Sequence, residues 1–512
     1  MDDVTQTPST PTAFEYILVG AGTAGCVIAA RLTENPDITV LLVEAGAREA
    51  LPEMAMPTAW PALFGSSADW GDTTVVQQFS QTVLPTPRGR TLGGSSSING
   101  LVFARGHRAS YDAWVDRGAT GWSYDDLLPY FRRSEATHGR DPAVRGTHGP
   151  LTVGPTADPC PTVSAALSAA AQVGYETARD ISSGLETGFG LTDGNIKDGK
   201  RQSAADAYLR PVADRENLYI VTDAVVRRVI IDNGVATGIE YTTAGADWVA
   251  SARQEVILTA GAIGSAQLLL VSGIGPADHL REVGAEVVLD LPGVGTNLHD
   301  HAMSTVVYSA AEGLSDNPNN MSGQAIGLVE TEHATDGPDL QLLLVNRPYS
   351  SPALVGPPSG FTIAFSAITP QSRGQLRLAS RDITVGPLID PNYLGCDRDV
   401  DVLAAGLAIA RQIGQAQALS DWRVAEVQPG PDVADTASVR EYLKRSLLVY
   451  FHYAGTCRVG TDEMAVVDLH LRVRGIERLR VADASIMPSP VSANTNATVY
   501  AIAERAAELI AG

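Results

Sequence analysis

Residues 14–25 read FEYILVGAGTAG, an apolar strand that runs directly into a glycine-rich turn. The helix-forming stretch Cys26–Thr33 follows, and a second apolar run, Val40–Val43, ends at Glu44. This order of strand, glycine turn, helix, strand and terminal acid predicts a βαβ unit that binds a dinucleotide. The full order matters, because the glycine pattern alone is common in unrelated loops.

Three glycines and one acid of this unit have separate expected roles. Gly20 permits the tight turn, Gly22 lets the backbone approach a pyrophosphate, and Gly25 lets the helix pack close to the strand. The helix N-terminus then faces the negative charge of the phosphates. Glu44 stands where a carboxylate would accept hydrogen bonds from ribose hydroxyls. The unit alone leaves open whether the dinucleotide is FAD or NAD.

Length and charge narrow the class of protein. A chain of 512 residues is too long for one core and predicts two or more domains. The formal net charge of −21 argues against nucleic acid or an anionic membrane as a partner, since both would repel the protein. Residues 1–12 are expected to form a flexible tail, not a secretory signal. No apolar run reaches the roughly 18 residues of a membrane-spanning helix, so no membrane span is expected.

The cysteines indicate the redox compartment. They are far apart and form no CxxC pair, which argues against a zinc ribbon, a disulfide framework and a disulfide-reductase flavoprotein. Free thiols fit a reducing compartment, so the predicted location is cytoplasmic. The four positions are Cys26, Cys160, Cys396 and Cys457.

The pattern of apolar residues changes between residues 302 and 369. Alternating runs such as Leu340–Val345 and Phe361–Phe365, together with Gln375–Leu378, predict an antiparallel sheet with one covered face. An amphipathic helix is predicted over Val400–Ala418, and a last helix over Thr498–Ile510. The proline-rich stretch 51–87 predicts a long loop of the kind that covers a functional site.

Two further segments carry a family resemblance in the first half of the chain. Residues 89–100 read GRTLGGSSSING and are followed by Ala104-Arg105-Gly106. Residues 261–275 read GAIGSAQLLLVSGIG, with Ala266 where the matching signature usually has Pro or Ser. Both segments are similar to signatures of the glucose–methanol–choline (GMC) flavin oxidoreductases, and the resemblance extends over nearly the whole chain.

The C-terminal part of the chain carries the rest of the resemblance. Residues 451–460, FHYAGTCRVG, are similar to a family segment in which Tyr453 replaces the usual Pro and Val459 the usual Met. Residues 481–488 and 493–497 resemble the closing family motif. The overall pattern is most similar to the bacterial choline-dehydrogenase-like and hydroxymethylfurfural-oxidase-like branches, whose second active-site residue is Asn.

The resemblance implies a fold and a division of the chain. It implies an α/β protein in which a Rossmann-like FAD-binding domain is interrupted by an antiparallel-sheet substrate-binding domain. The FAD-binding domain is expected to comprise residues 13–155, 196–300 and 451–512, and the substrate-binding domain residues 156–195 and 301–450.

The resemblance also identifies the dinucleotide as FAD. Some relatives carry a His that bonds covalently to the flavin where this chain has Ile98, so FAD is expected to bind without a covalent link. Asn99 and Gly100 would then lie against the isoalloxazine. Trp70 is interpreted either as a cover of the cofactor or as a packing residue. The expected contacts to FAD come from Gly20, Gly22, Thr23, Ala24, Gly25, Glu44, Ala45, Trp70, Leu92, Asn99, Gly100, Val102, Val226, Phe451, Asp483, Ala484 and Thr495.

Two residues are expected to carry the chemistry. His452 lies in the catalytic segment of the family, and a neutral imidazole suits removal of a hydroxyl proton. Asn494 offers both a donor and an acceptor to hold the substrate oxygen, whereas Asn496 is interpreted as structural. A base of this kind predicts a reduction rate that rises with pH through an ionisation near 6–8.

Other candidate side chains have alternative roles. His299-Asp300-His301 could present two metal ligands on one side, but no third ligand is evident and the similar family segment is structural. No metal is therefore expected. Phe451 and Tyr453 flank the expected base, either as an aromatic rim suited to an apolar or aromatic alcohol or as core residues. No carboxylate for a quaternary ammonium is evident, so choline is not favoured.

The predicted function is FAD-dependent oxidation of a small-molecule alcohol to an aldehyde or ketone. His452 would take the hydroxyl proton, the hydride would pass to flavin N5, and oxygen or another acceptor would reoxidise the flavin. The alternative is an enzyme similar to hydroxynitrile lyases, in which the flavin performs no redox turnover. The sequence does not indicate the oligomeric state.

Overall fold

The computed structural model describes residues 11–311, 314 and 317–512. The predicted flexible tail, residues 1–12, thus lies almost entirely outside the described residues. The described chain forms two seven-stranded sheets, each with a hydrophobic core of its own. One is largely parallel and the other antiparallel, which confirms the predicted α/β class with an inserted antiparallel sheet.

The first sheet is built around the strand that precedes the glycine turn. Five strands run parallel, and a hairpin extends the sheet in the antiparallel sense. The spatial order is Leu218–Val221, Val40–Val43, Ala13–Val19, Ala246–Leu258, Val235–Thr243 and Ala224–Asp232, and Leu479–Val481 pairs with the end of Ala246–Leu258.

The turn after the first strand depends on glycine. Gly20 has φ +103°, and a Cβ there would lie 2.8 Å from the Thr259 carbonyl oxygen. A Cβ on Gly25 would lie 2.0 Å from the Gly20 carbonyl oxygen, so the helix passes the strand end at a distance that only glycine permits. The helix Thr23–Leu32 therefore packs directly on the sheet, and its buried face contacts the C-terminal helix Asn496–Ala511.

The second sheet is antiparallel throughout. Its strands, in spatial order, are Ala425–Gln428, Ala302–Ser309, Gly360–Ala367, Leu340–Val345, Gly323–Val329 and Gly188–Leu191, with Leu448–Val449 also paired to Ala302–Ser309. The helix Asp397–Gln415 packs on one face of this sheet.

The expectation of one covered face is wrong, because both faces of the second sheet are buried. Every residue of Gly360–Ala367 is buried, as are most residues of Leu340–Val345. Alternate side chains separate the two sides. Leu340, Leu342 and Leu344 belong to the core beneath the helix, whereas Leu343 and Val345 line a cavity on the opposite side.

The run Gln375–Leu378 was expected in the antiparallel sheet, but it pairs elsewhere. Strand Gly374–Arg377 lies in the middle of a separate three-stranded sheet, between Thr296–Leu298 and Leu388–Asp390. Alternation of apolar residues identifies a strand without identifying its partner, so the sequence could not distinguish the two sheets.

The predicted helices occur with shifted ends. The helix predicted over Val400–Ala418 is Asp397–Gln415, with Asp397 and Asp399 in its first turn, where carboxylates favour the helix N-terminus. The last helix is Asn496–Ala511 rather than Thr498–Ile510. The remaining helices are Arg108–Asp116, Tyr124–Ser134, Pro161–Gln172, Gly261–Val271, Ala277–Glu282 and Thr436–Ser446.

The remaining short strands of the described residues are Glu135–Ala136, Leu151–Thr152, Gly154–Pro155, Asp193–Gly194, Ile196–Lys197, Lys200–Arg201, Ile274–Gly275 and Leu289–Asp290. Among the described residues, no helix is long and apolar enough to span a bilayer.

Candidate active site

A cavity of about 340 Å³ opens at the carboxyl ends of the parallel strands and extends to the antiparallel sheet. Ligands of open α/β sheets bind at this end of the strands. The cavity brings together most of the residues singled out in the sequence. These are Gly20, Gly22, Thr23, Ala24, Glu44, Ala45, Trp70, Asn99, Gly100, Val102, Val226, Phe451, His452, Asp483, Ala484, Asn494 and Thr495.

Two residues expected to contact the cofactor lie outside the cavity lining. Gly25 faces the strand end, where its missing side chain permits the close packing described above. Leu92 is half-buried against the core of the first sheet. Gly25 therefore supports the glycine turn from behind, so its contribution to binding would be indirect.

Glu44 lies at the end of strand Val40–Val43, facing the cavity. The backbone N–H of Ala21 donates to Oε2 (2.9 Å), and that of Gly46 donates to Oε1 (2.8 Å). Burial raises the pKa of Glu44 to about 7, although these two donors oppose the shift. Each carboxylate oxygen keeps acceptor capacity for a further hydroxyl.

The glycine turns form a cradle that fits a pyrophosphate. A Cβ on Gly94 would lie 2.7 Å from the Gly22 Cα, so two backbone segments meet where side chains are missing. In the described structure, no side chain caps the helix that begins at Thr23, and its first turn has no acidic residue. Its N–H groups are therefore open to an anion. The Asn496 amide nitrogen lines the same cavity, buried without a described hydrogen-bond partner.

The middle of the cavity is held by buried polar contacts. Arg201 Nη1 donates to Asn99 Oδ1 (2.7 Å), which orients the amide expected against the flavin. Gly261 N donates to Asp483 Oδ2 (2.9 Å) and Ser265 Oγ to the same oxygen (2.6 Å). These contacts link the cavity wall to the start of the helix Gly261–Val271.

Trp70 lies at the edge of the cavity, with two arginines close to its ring. Arg88 lies 4.3 Å from a Trp70 ring centroid, and Arg90 5.1 Å. Arg88 is itself paired with Asp72 (2.6 Å). The indole is about one-third exposed, so it combines packing on the arginines with a position at the cavity rim.

His452 is buried at the other end of the cavity, between two hydrogen-bond partners. Its Nε2 lies 3.1 Å from Asn494 Nδ2, and its Nδ1 lies 2.8 Å from His301 Nδ1. Asn494 Nδ2 is a donor, so Nε2 of His452 is the acceptor in this contact. With the proton on Nδ1, the ring donates to His301, and the Nε2 lone pair is the one that accepts from Asn494.

The neighbour of Asn494 supports the same tautomer. Gln341 Nε2 donates to Asn494 Oδ1 (3.4 Å), which agrees with an Asn494 amide nitrogen that faces His452. Because Nδ1 of His452 is then the donor to His301, Nδ1 of His301 is the acceptor, and the proton of the neutral His301 ring is on Nε2.

Burial keeps both imidazoles neutral. It lowers the pKa of His452 well below its ordinary value, and the neighbouring His301 adds to the shift. It lowers the pKa of His301 to about 3. A neutral His452 is the form that can accept a proton.

Asp300 holds the backbone that carries His452. Its Oδ1 accepts from the backbone N–H of His452 (2.6 Å) and of His301 (2.8 Å), and its Oδ2 accepts from the Tyr393 hydroxyl. Burial raises the pKa of Asp300 to about 6, against these hydrogen bonds. Phe451, directly before His452, has φ +64°, so the carboxylate stabilises a backbone conformation that is uncommon outside glycine.

The run His299-Asp300-His301, interpreted as structural, holds and orients the candidate base. His299 Nδ1 contacts the Asn297 carbonyl (2.9 Å), while His301 contacts the candidate base. The two rings do not converge on one point, and no group of metal-ligating side chains occurs among the described residues. His301 and His452 are 151 positions apart in the sequence, so no local pattern could predict their contact.

Aromatic rings form one wall of the cavity near His452. Phe451 meets Phe64 (ring centroids 5.1 Å apart), Phe64 meets Trp60 (5.3 Å), and Trp60 meets Tyr349 (5.9 Å). All four line the cavity, as does Tyr453. Trp60 and Phe64 belong to the predicted loop 51–87, which thus covers the site.

Comparison with known proteins agrees with this arrangement. The chain matches the GMC oxidoreductase family over residues 14–303 and 370–503. An uncharacterized GMC-type oxidoreductase of Mycobacterium tuberculosis is 39% identical over 526 residues, covering 98% of this chain and 99% of that protein. Human mitochondrial choline dehydrogenase is 37% identical over 533 residues, covering 98% and 90%.

A solved structure extends the similarity to three dimensions. The crystal structure of pyridoxine 4-oxidase from Mesorbium loti superposes with a TM-score of 0.92 at 34% identity, covering 97% of this chain and 98% of that one. FAD is the cofactor of the family, and the glycine cradle, the open helix N-terminus and Glu44 fit it. The chain is therefore a member of the GMC oxidoreductase family, and the predicted resemblance is confirmed.

Proposed function

We propose that the protein oxidises a small-molecule alcohol to an aldehyde or ketone, with His452 as the base. The observation that carries the proposal is a buried, neutral His452 that lines the cavity with its unprotonated Nε2 beside Asn494. An alcohol hydroxyl that replaces the Asn494 N–H as the donor to Nε2 would then lose its proton to that nitrogen. The Nδ1–H of His452 stays with His301, which stabilises the imidazolium that forms.

Asn494 has the second role in this proposal. Its amide Nδ2 carries two protons, of which one faces His452. The other is available to the substrate oxygen as negative charge develops there. Bound FAD supplies the acceptor for the hydride of the substrate carbon. Oxygen or another acceptor would then complete the cycle.

The proposal includes the FAD contacts that the sequence predicts. The glycine turns and Glu44 would bind the adenosine and pyrophosphate part, and Asn99, Gly100 and Ile98 would lie near the ring system. The proposed division of the chain, with a substrate-binding part at residues 156–195 and 301–450, agrees with a site that draws His452 from one part and Gln341 from the other.

The aromatic wall supports an apolar or aromatic alcohol as the substrate class. Edge-to-face rings offer flat apolar surface close to the base. The acidic residues that line the described cavity are Glu44 and Asp483, both at strand ends of the first sheet. A quaternary ammonium would therefore find no carboxylate beside the aromatic wall among the described residues.

An anaerobic alcohol panel tests the proposal. Benzyl alcohol, a straight-chain primary alcohol and choline are mixed with the yellow holoenzyme, and flavin absorbance is followed. The expected result is bleaching, fastest with benzyl alcohol. A flavin that stays oxidised with every alcohol, while a cyanohydrin releases its aldehyde, would instead establish the lyase. Repeating the panel with oxygen and with an artificial acceptor identifies the second half-reaction.

A further inference from the structure

Tyr450 is a buried tyrosine of the cavity wall whose hydroxyl has no assigned role. Its side chain is 7% exposed, and the hydroxyl has no hydrogen-bond partner among the described residues. Buried polar groups are nearly always paired, so an unpaired hydroxyl that lines a cavity indicates a missing ligand atom. The Tyr450 ring itself lines the cavity together with His452.

The ring of Tyr450 is held directly against the candidate base. The centroids of the Tyr450 and His452 rings lie 4.3 Å apart at 39°. The Asp300 carboxylate accepts from the backbone N–H of His452 (2.6 Å), two residues after Tyr450, and so holds the segment that carries both rings. The Asn494 amide approaches the Tyr450 hydroxyl without reaching hydrogen-bonding geometry.

We infer that Tyr450 is a third active-site residue, whose hydroxyl donates a hydrogen bond to the substrate oxygen. This inference rests on the proposed alcohol oxidation. A hydroxyl oxygen has one proton and two lone pairs. Its proton goes to His452 Nε2, and its lone pairs accept from Asn494 Nδ2 and from the Tyr450 hydroxyl. Both donors would remain on the oxygen as its C=O bond forms.

The two hydrogen bonds from Asn494 and Tyr450 also determine which ligands bind well. A carbonyl product has no proton for His452, but it accepts from Asn494 and Tyr450. A hydrocarbon of the same shape accepts from neither. Burial raises the pKa of Tyr450 above its ordinary value, so the phenol keeps the proton that it donates throughout the working pH range.

Tyr450→Phe tests the inference, because it removes the oxygen and leaves the ring. The rate constant for anaerobic flavin reduction by benzyl alcohol should fall by about 10- to 100-fold, as for loss of one donor to a developing oxyanion. The dissociation constant of benzaldehyde should rise by about 3- to 10-fold. Toluene should bind equally well to both proteins.

Tyr308→Phe is the matched control, since Tyr308 is a buried tyrosine of the second core that lies outside the cavity lining. It should leave the reduction rate and both dissociation constants unchanged. Wild-type rates and benzaldehyde affinity in Tyr450→Phe would overturn the inference, as would an equal loss of affinity for benzaldehyde and toluene. Benzaldehyde binding needs no turnover, so it tests Tyr450 separately from the proposed oxidation.

Discussion

The Nδ1 atoms of His301 and His452 lie 2.8 Å apart, close enough for one hydrogen bond between two like nitrogens. One ring must donate and the other accept, so the pair holds a single proton between its facing atoms. Asn494 Nδ2 donates to Nε2 of His452, which leaves the ring proton of His452 on Nδ1 and assigns the shared proton to His452. His301 is thereby a positioning residue that selects the tautomer of the base.

Removing the acceptor on His301 should slow proton removal. His301→Leu leaves the Nδ1–H of His452 without a partner and the imidazolium without stabilisation, at a cost of about 1–3 kcal/mol. We expect flavin reduction to slow by about 10- to 100-fold with FAD content unchanged. His301→Gln, whose amide oxygen is an acceptor, should recover part of the rate. Equal rates in the wild type and both variants would show that the tautomer is selected elsewhere.

Removing the base should have the largest effect. His452→Ala is expected to slow anaerobic flavin reduction by a factor of about 10² to 10⁴, because a positioned base contributes that much. Asn494→Ala should slow the same step less, since Asn494 holds the oxygen without taking the proton. The two losses should be less than additive, because both residues act on one oxygen. Stopped-flow reduction of the two single variants and of the double variant measures this, and wild-type rates in His452→Ala would refute the mechanism.

The pH dependence of reduction distinguishes a buried base from an exposed one. The neutral form of His452 is favoured by burial, so its pKa lies below the ordinary 6.5 and the base is already neutral at that pH. The rate constant for reduction should therefore be level above pH 6.5 and fall only at lower pH. This replaces the expectation of an ionisation near 6–8, which assumed an unshifted imidazole. A rate that still rises between pH 7 and 8 would contradict the burial effect.

Glu44 should control FAD affinity without affecting the chemistry. Glu44→Ala removes a charged acceptor worth about 1.5–3 kcal/mol to a hydroxyl donor, so the FAD dissociation constant should rise by about one to two decades. Glu44→Gln keeps one acceptor oxygen, so its FAD dissociation constant should lie between those of the wild type and of Glu44→Ala. Acid precipitation should release the yellow colour to the supernatant in all three, since Ile98 offers no atom for a covalent bond. An unchanged dissociation constant in Glu44→Ala would place the ribose elsewhere.

The local parts of the fold were predictable from the sequence, and the long-range parts were not. The first strand, Gly20 and Glu44 follow from local pattern and backbone sterics, and they occur as predicted. The Tyr393 hydroxyl on Asp300 and the imidazole of His301 on His452 join residues 93 and 151 positions apart. Such contacts depend on how separate sheets pack, which the local periodicity of the sequence does not predict.

In strand Leu340–Val345, the side of the sheet that a residue faces determines what a substitution there affects. Its even-numbered leucines fill the core under the helix Asp397–Gln415, and Leu343 and Val345 shape the cavity. A new side chain at either of the latter two positions would alter which alcohols fit while leaving the helix-side packing intact. Substrate range can therefore change at positions that do not enter the core beneath the helix.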